Sequence, residues 1–465
     1  MKSSARFRIS PRHSILLIAP LSLFLIAAMA TAQSSATHGE QPQPAELPAA
    51  QPTPAAQDPA NAPPFRGQVV VQPPESERVF GFNPVNKALE RYGLALYDIS
   101  QDVTFTYNLL SPPVPLADQT YNGQRPTFSS SHYPALTYDM RHLHIRGAQL
   151  LIQGSIQRNS WYPGGPEATG FGQISYYQSL FKGRVEMKGG YIDNDGEFVG
   201  LFVGGLASNG SLGVYAVLPF EAGMSYLPMT APALNTTFHL PDHLYSKLGF
   251  QRSFDPKGGA EEVGRDSVGL RFHPRGDGLL TIYEGGFKRD PGPGTMQTWA
   301  RVGYMFNTTH YASARPGPVP GVPPTTGNNQ AVYLLADRQL HQTDAASPGR
   351  GVFVGLSAEY APPAQNAYTQ YYEARIYENG PFARRPKDFV SLVGSHTDYS
   401  EFTTRADVEL GESVWNSATS VTASYTARLA RGTYLSSGLS YTEGPAITPR
   451  SHNSLEIIGQ LNTFF

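Results

Sequence analysis

The stretch NSLEIIGQLNTFF at residues 453–465 alternates polar and apolar side chains and stops on an aromatic residue. Successive side chains of an extended chain point to opposite faces. Ile457, Gly459, Leu461 and Phe465 therefore share one face, while Glu456, Ile458, Gln460, Asn462 and Phe464 share the other. Thr463 is the one polar interruption of the first face. One face suits hydrocarbon and the other suits water, as in the wall of a membrane barrel whose last strand ends at the bilayer boundary.

The opposite end of the chain points to the same compartment. Lys2, Arg6, Arg8 and Arg12 precede an apolar run at 15–30, and Ala30-Thr31-Ala32 offers a small-x-small cleavage site. This predicts a signal peptide over 1–32 and a mature chain starting at Gln33. The competing reading is a membrane anchor, but the run is near the short limit for a spanning helix and Pro20 interrupts it. No other stretch is apolar enough to span as a helix. Only helices and closed barrels satisfy every backbone polar group in lipid, so membrane residence here implies a barrel.

Composition narrows the class further. The absence of Cys excludes disulfides, thiolate catalysis and iron–sulfur ligation. Aromatic residues reach 11%, with 26 Tyr and 24 Phe, while charged residues are 15%, against about a quarter in soluble globular proteins. Removing the four basic residues of the leader leaves 31 of the 35 Lys and Arg against 37 acidic residues, a net charge of −6. Nucleic acid is therefore not an expected partner.

Residues 33–78 are rich in Pro, Ala and Gln and lack the apolar residues needed for a core, which predicts a semi-extended periplasmic linker. Residues 79–465 are expected to form the barrel, with one short helix near 83–92. Strand-like segments fall near 93–109, 142–158, 171–181, 184–192, 222–229, 243–254, 266–274, 279–289, 297–309, 330–341, 350–360, 368–378, 387–399, 418–429, 433–442 and 453–465. They predict an all-β transmembrane antiparallel barrel of about sixteen strands, up-and-down, with short periplasmic turns and longer external loops. Placing the C-terminus in the periplasm makes 110–141, 310–329 and 400–417 external and 290–296 and 430–432 internal. Two connections fit poorly. Residues 159–170 are long for a periplasmic turn, and 193–221 form either a further hairpin, giving eighteen strands, or a segment folded against the wall.

Several segments resemble the carbohydrate-selective porins of the OprB family over roughly 89–465. They are LERYGLALYDISQDVTFTYN at 89–108, YYQSLFKGRVEMKGGYI at 176–192, GGFKRDPGPG at 285–294 leading into WARVGYMFN at 299–307, and VYLLADRQL at 332–340. GRGVFVGLSAEYAPPAQNAY at 349–368 and YYEARIYENGPFARRPKDFVSLV at 371–393 follow in order. Arg338 interrupts the family's alanine-aspartate-glutamine pattern. The resemblance implies a sixteen-stranded outer-membrane barrel through which glucose and similar sugars diffuse down their gradient. It implies no enzyme activity and no cofactor or metal. Expected partners are sugars, outer-membrane lipid and lipopolysaccharide, and the barrel-assembly machinery acting through the C-terminal strand. A monomer and a trimer both remain open.

Alternation nominates the side chains that face the channel. With Val268, Leu270 and Phe272 toward lipid, Arg271 and His273 turn inward. By the same reasoning Glu284, Lys288, Arg301, Asn307, Glu359, Tyr371, Glu373, Arg375 and Tyr377 face the lumen, and Asp337 and Gln339 fit it better than Arg338 does. Carboxylates and guanidinium groups exchange hydrogen bonds with sugar hydroxyls, and tyrosines offer a flat face with a wet hydroxyl. The candidate pore-lining set is thus Arg271, Glu284, Arg301, Asp337, Gln339, Glu359, Tyr371, Glu373 and Arg375. Its mixed signs suit a neutral solute. A general porin, or one for anions or aromatic acids, is the alternative, although an anion pore should concentrate basic groups without acidic partners.

Other motifs carry less. His142-x-His144 lacks a nearby third metal ligand, and 193–197 (DNDGE) lacks the later ligands of a calcium loop. Ser395-His396 and Ser451-His452 cannot act as hydrolase pairs by adjacency, because strand neighbours point oppositely.

Overall fold

The computed structural model describes residues 88–89, 91–110, 114–115, 118–160, 167–199, 217–227, 229–272, 276–315 and 325–464. The expected signal peptide, the Pro-rich linker, residues 83–87 and 90 of the expected helix at 83–92, His273 and Phe465 lie outside them, and Ala88 and Leu89 are helical. Sixteen antiparallel strands form a closed barrel. They are β1 (Leu94–Asn108), β2 (Thr127–Asp139), β3 (Ala148–Asn159), β4 (Ala168–Leu180), β5 (Val185–Ile192), β6 (Ala231–His239), β7 (Leu244–Arg252) and β8 (Leu279–Arg289). The second half comprises β9 (Thr298–Asn307), β10 (Asn329–Gln342), β11 (Gly351–Tyr360), β12 (Tyr368–Asn379), β13 (Phe389–Tyr399), β14 (Ser417–Ala430), β15 (Thr433–Glu443) and β16 (Ser454–Phe464).

Each strand pairs with its chain neighbours, and β1 closes the ring on β16 from Ser100↔Phe464 to Asn108↔Glu456. No helix among the described residues is long and apolar enough to cross a membrane. The terminal strand divides as its alternation requires. Ser454, Glu456, Ile458 and Asn462 are buried on the inner face, while Ile457 and Leu461 are exposed on the outer one. Leu150, Ile152, Leu356, Ile376, Leu392, Val421 and Leu439 continue that exposed apolar band around the wall.

The number sixteen is reached by a different route from the one the sequence suggests. Two segments read as strands, 222–229 and 266–274, are not in the wall, and two wall strands, β2 and β6, have weak alternation. The TFSSSHYPALTYD of β2 and the APALNTTFH of β6 carry serines, threonines and prolines where hydrophobic alternation would announce a strand. Residues 222–225 are all buried, and Ala222, Met224 and Met229 are apolar because they pack inside the molecule, not because they form a strand. The two substitutions cancel in the count but reverse the wall's direction between β2 and β7. Connections 160–167 and 193–230 consequently lie at the same end as 109–126, 253–278, 308–328 and 400–416, the long-loop and therefore extracellular end. His142 and His144 likewise sit in the short turn after β2, where His144 adopts φ 63°, rather than on a strand.

The missing hairpin is an inserted segment. Between β5 and β6 the chain turns into the barrel and carries two short helices, α1 (Asn194–Glu197) and α2 (Val217–Glu221). Because β5 ends at Ile192, the last residue of β4 paired to it is Ile174, which leaves 168–173 without a neighbour on that side. The loop 253–278, containing α3 (Gly259–Arg265), supplies one: Phe171 N donates to the Val268 carbonyl at 3.1 Å, and the Tyr191 hydroxyl donates to the Leu270 carbonyl at 2.6 Å. Residues 266–272 thus patch a strand edge, which is why their sequence alternates like a strand.

At the seam, Asn108 is fully buried and ties three elements together. Its amide donates to the Tyr121 hydroxyl at 2.7 Å, and its carbonyl accepts from Leu455 N at 2.9 Å and Leu110 N at 3.0 Å. Asn108→Leu should leave these partners unpaired and cost about 1–3 kcal/mol. The expected readout is a lower urea midpoint for loss of the heat-modifiable band, with the folded band still present without urea.

Candidate functional site

A coil inside a barrel carries backbone N–H and C=O groups that must be paired. Inward amides of the wall do this for the inserted segment. Asn194 Nδ2 donates to Gln251 Oε1 at 2.9 Å and Asn235 Nδ2 donates to Asn194 Oδ1 at 2.7 Å. Gln251 Nε2 reaches the Gly223 carbonyl at 3.0 Å, Asn307 Nδ2 the Ala222 carbonyl at 2.7 Å, and Asn329 Nδ2 the Glu221 carbonyl at 3.2 Å. Two strands further round the wall, at the start of β12, Tyr368 N donates to Glu221 Oε2 at 3.0 Å.

Apolar contacts supply the rest. Phe198, Val199, Leu218, Ala222 and Met224 from the segment form one buried cluster with Leu280, Ile282, Met305, Tyr333, Leu335 and Tyr371 of the wall. Each fully buried large side chain in such a cluster contributes roughly 1.5–3 kcal/mol. Gly249 makes room for Phe198, since a Cβ there would lie 2.6 Å from the Phe198 ring. The cluster fills part of the lumen with hydrocarbon and narrows the water path toward its polar remainder.

That remainder has three centres. In the first, Lys188 Nζ and Lys247 Nζ hold the Glu197 carboxylate at 2.7 and 3.0 Å. Burial alone would raise the Glu197 pKa, but the two ammonium groups bring it down to about 2. In the second, Glu284 accepts from the Tyr245 and Tyr333 hydroxyls, each at 2.7 Å. Arg301 lies 3.8 Å from that carboxylate, stacks 3.7 Å over the Trp299 ring and donates to the Val199 carbonyl of the inserted segment.

The third centre is a chain of paired groups. Arg375 binds Asp337 through Nη2 at 2.6 Å and Nε at 3.0 Å, Glu373 at 2.7 Å and Ser357 Oγ at 2.8 Å. Tyr371 donates to Glu373 at 2.5 Å, and Tyr377 donates to Asp337 at 3.3 Å while stacking on Phe353 with centroids 5.0 Å apart. On the neighbouring strand, Glu359 is buried with neither carboxylate oxygen hydrogen-bonded among the described residues.

Six of the nine nominated residues thus belong to these bonded centres, namely Glu284, Arg301, Asp337, Tyr371, Glu373 and Arg375, and Glu359 is buried on the strand beside the third. Gln339 also points inward, but its amide is occupied at the periplasmic end by the Pro348 and Arg350 carbonyls and Gln297 N. Arg271 requires a correction. It belongs to the patch loop outside the wall, its Nη1 donates to the Arg265 carbonyl, and it is exposed. Glu197, Lys188, Lys247, Tyr245, Trp299 and Tyr333 were not nominated. Tyr333 shares the parity of Asp337, and Trp299 that of Arg301, so alternation contained both.

Three acids of the inserted segment are affected by burial. Asp193 is pushed up to about 6, Asp195 to about 7 and Glu221 to about 8, in each case because burial disfavours the charged form. Lys188 partly offsets this at Asp193, and backbone N–H groups partly offset it at Glu221.

A family model described as carbohydrate-selective porin, OprB family, matches residues 143–463. No curated protein is matched in sequence. Among solved structures, the high-pH structure of Pseudomonas putida OprB aligns with a TM-score of 0.70 at 13% identity, covering 84% of this chain and 99% of that one. The low-pH structure of the same protein aligns at 0.53 and 12% identity with the same coverage. These likenesses show the fold, a porin barrel. With the family model spanning most of its length, the chain belongs to the OprB family of carbohydrate-selective porins and is an outer-membrane protein through which sugars pass.

Proposed function

We propose that the inner network sets sugar selectivity, and that its solutes are hexoses of the glucose type. The observation carrying this reading is the alternation of acid, base and tyrosine in one hydrogen-bonded chain, Tyr377–Asp337–Arg375–Glu373–Tyr371, facing the inserted segment's apolar cluster. Such a chain sets one guanidinium between two carboxylates, so its charges are largely engaged with one another and a neutral solute meets them as hydrogen-bonding groups. It offers donors and acceptors of both signs to hydroxyls. Glu359 adds an acceptor with unfilled hydrogen-bonding capacity. Paired signs also argue against an anion pore, which would leave its guanidinium groups unpartnered by acids.

The outward Ile457 and Leu461 of β16, and the Tyr434–Phe464 ring pair at 6.0 Å, support this strand as the segment grasped by the barrel-assembly machinery.

Replacing Arg375 by Ala should lower hexose flux in proteoliposome swelling by about an order of magnitude, the equivalent of one charged hydrogen bond. Glu359→Gln should lower it less, because an amide oxygen still accepts. Hexose selectivity over a small salt that survives Arg375→Ala and Glu373→Ala unchanged would remove this network from the selective site.

A pH dependence follows from the buried acids. With pKa values of about 6, 7 and 8 in the docked segment, Asp193, Asp195 and Glu221 bind more protons there than when exposed. Docking therefore weakens as pH rises from about 4 to about 8 and changes little beyond. Single-channel current should become noisier and its mean conductance larger over that range. Glu221→Gln should flatten the upper part of the profile, between about pH 6 and 8.

A further inference from the structure

The flank closed by residues 266–272 differs from the rest of the wall. Arg252 follows outward Phe250 and inward Gln251 on β7, so alternation sends it to the lipid side, yet it is buried. The patch loop covers it. Arg252 pairs with Asp277 at 2.9 Å and Glu262 at 2.5 Å, and Arg265 pairs with the same Asp277 at 3.0 Å and with Asp255. This ion cluster holds the loop down over the outer face of the barrel.

What the loop then presents is apolar. Phe272 is 72% exposed, Val268 49% and Leu270 37%. Phe272 overhangs a groove of about 540 Å³ in the wall, whose other side chains include Leu234, Phe250 and Leu279, all exposed on the lipid side. An exposed apolar patch of this kind on a loop facing water would be a liability, whereas at the bilayer edge it is solvated by hydrocarbon. Arg271, flanked by Leu270 and Phe272, is exposed; its backbone N–H donates to the Asp266 carboxylate at 2.8 Å, and its guanidinium donates to the Arg265 carbonyl at 2.8 Å. An apolar groove lined by Phe272, with a cationic side chain on the preceding residue, matches an anionic amphiphile lying along the wall.

We propose that this flank binds one lipopolysaccharide molecule of the outer leaflet. One acyl chain occupies the groove under Phe272, and a lipid A phosphate meets Arg271. The position selects the lipid: the groove lies at the extracellular ends of β6, β7 and β8, within the leaflet that lipopolysaccharide occupies. The site is separate from the sugar path, because it lies on the other face of the wall.

Native mass spectrometry of the purified barrel with added lipid A, and in parallel with phosphatidylglycerol, tests the assignment. Wild-type protein should retain one lipid A through detergent removal and little phosphatidylglycerol. Phe272→Ser and Arg271→Glu should each cut lipid A occupancy about tenfold, near 1.4 kcal/mol. Leu392→Ser, an exposed lipid-face change on β13, should not. Heat modifiability and hexose swelling should be retained in the two loop variants, showing that the barrel is folded. Equal retention of phosphatidylglycerol, unchanged lipid A occupancy in both loop variants, or an equal loss in Leu392→Ser would overturn the proposal. So would an oligomer that Phe272→Ser dissociates without affecting lipid A.

Discussion

Hydrocarbon offers no hydrogen bonds, and that constraint governs this molecule on both sides of its wall. Toward lipid it forces closure, met by the β1–β16 seam and by Asn108 where the seam meets the extracellular loops. It also forces the unusual course of 253–278. Once the chain leaves the wall after Ile192, the free edge of β4 needs a substitute neighbour, and Val268 is brought across to provide a carbonyl. Inside, the same constraint explains why the wall beside the inserted segment carries Asn235, Gln251, Asn307 and Asn329 at four of its contacts, alongside the charged Lys188, Lys247 and Arg301. Amides supply donor and acceptor together, so a coil can dock without ionisable groups at every contact.

The inner charges are paired more completely than a water-filled pore demands. Arg375 alone meets two carboxylates and a hydroxyl. Such pairing adds little to stability by itself, because desolvating the ions offsets much of their attraction, and its clearest effect is to fix positions. Arg301 is stacked on Trp299 and bonded to the Val199 carbonyl, so the same residue that faces the channel also fastens the segment that narrows it.

From β8 onward the wall is legible in the sequence. Strand boundaries, inward parity and the extracellular loops at 308–328 and 400–416 all follow from alternation counted back from the terminal strand. Upstream, the reading fails for identifiable reasons. The polar Ser129-Ser130-Ser131 run of β2 hides a strand whose partners are supplied by β1 and β3. The buried apolar residues Ala222 and Met224 and the edge-patching alternation of Val268, Leu270 and Phe272 mimic strands that do not exist in the wall. Period-two patterning reports two-sided environments, of which a barrel wall is only one. Arg271 was assigned to the lumen by this mimicry. Nothing in the local sequence of Gln339 reveals that the turn at 343–350 claims its amide. The clamp on Glu197 joins residues from β5, β7 and α1, and its assembly depends on a tertiary insertion that no local pattern encodes.

The barrel is also uneven in height. β5 has 8 residues and β6 and β7 have 9 each, whereas β1 has 15 and β10 and β14 have 14. A tilted strand needs about 9–11 residues to cross the hydrocarbon, so this flank sits at or below the spanning limit while the rest exceeds it. Hydrophobic mismatch there costs fractions of a kcal/mol per Å, drawn from local thinning of the bilayer or from a lean of the barrel axis. A protein built this way deforms the membrane on one side only. In a crowded outer membrane, that asymmetry gives an otherwise round object a preferred azimuth toward its neighbours.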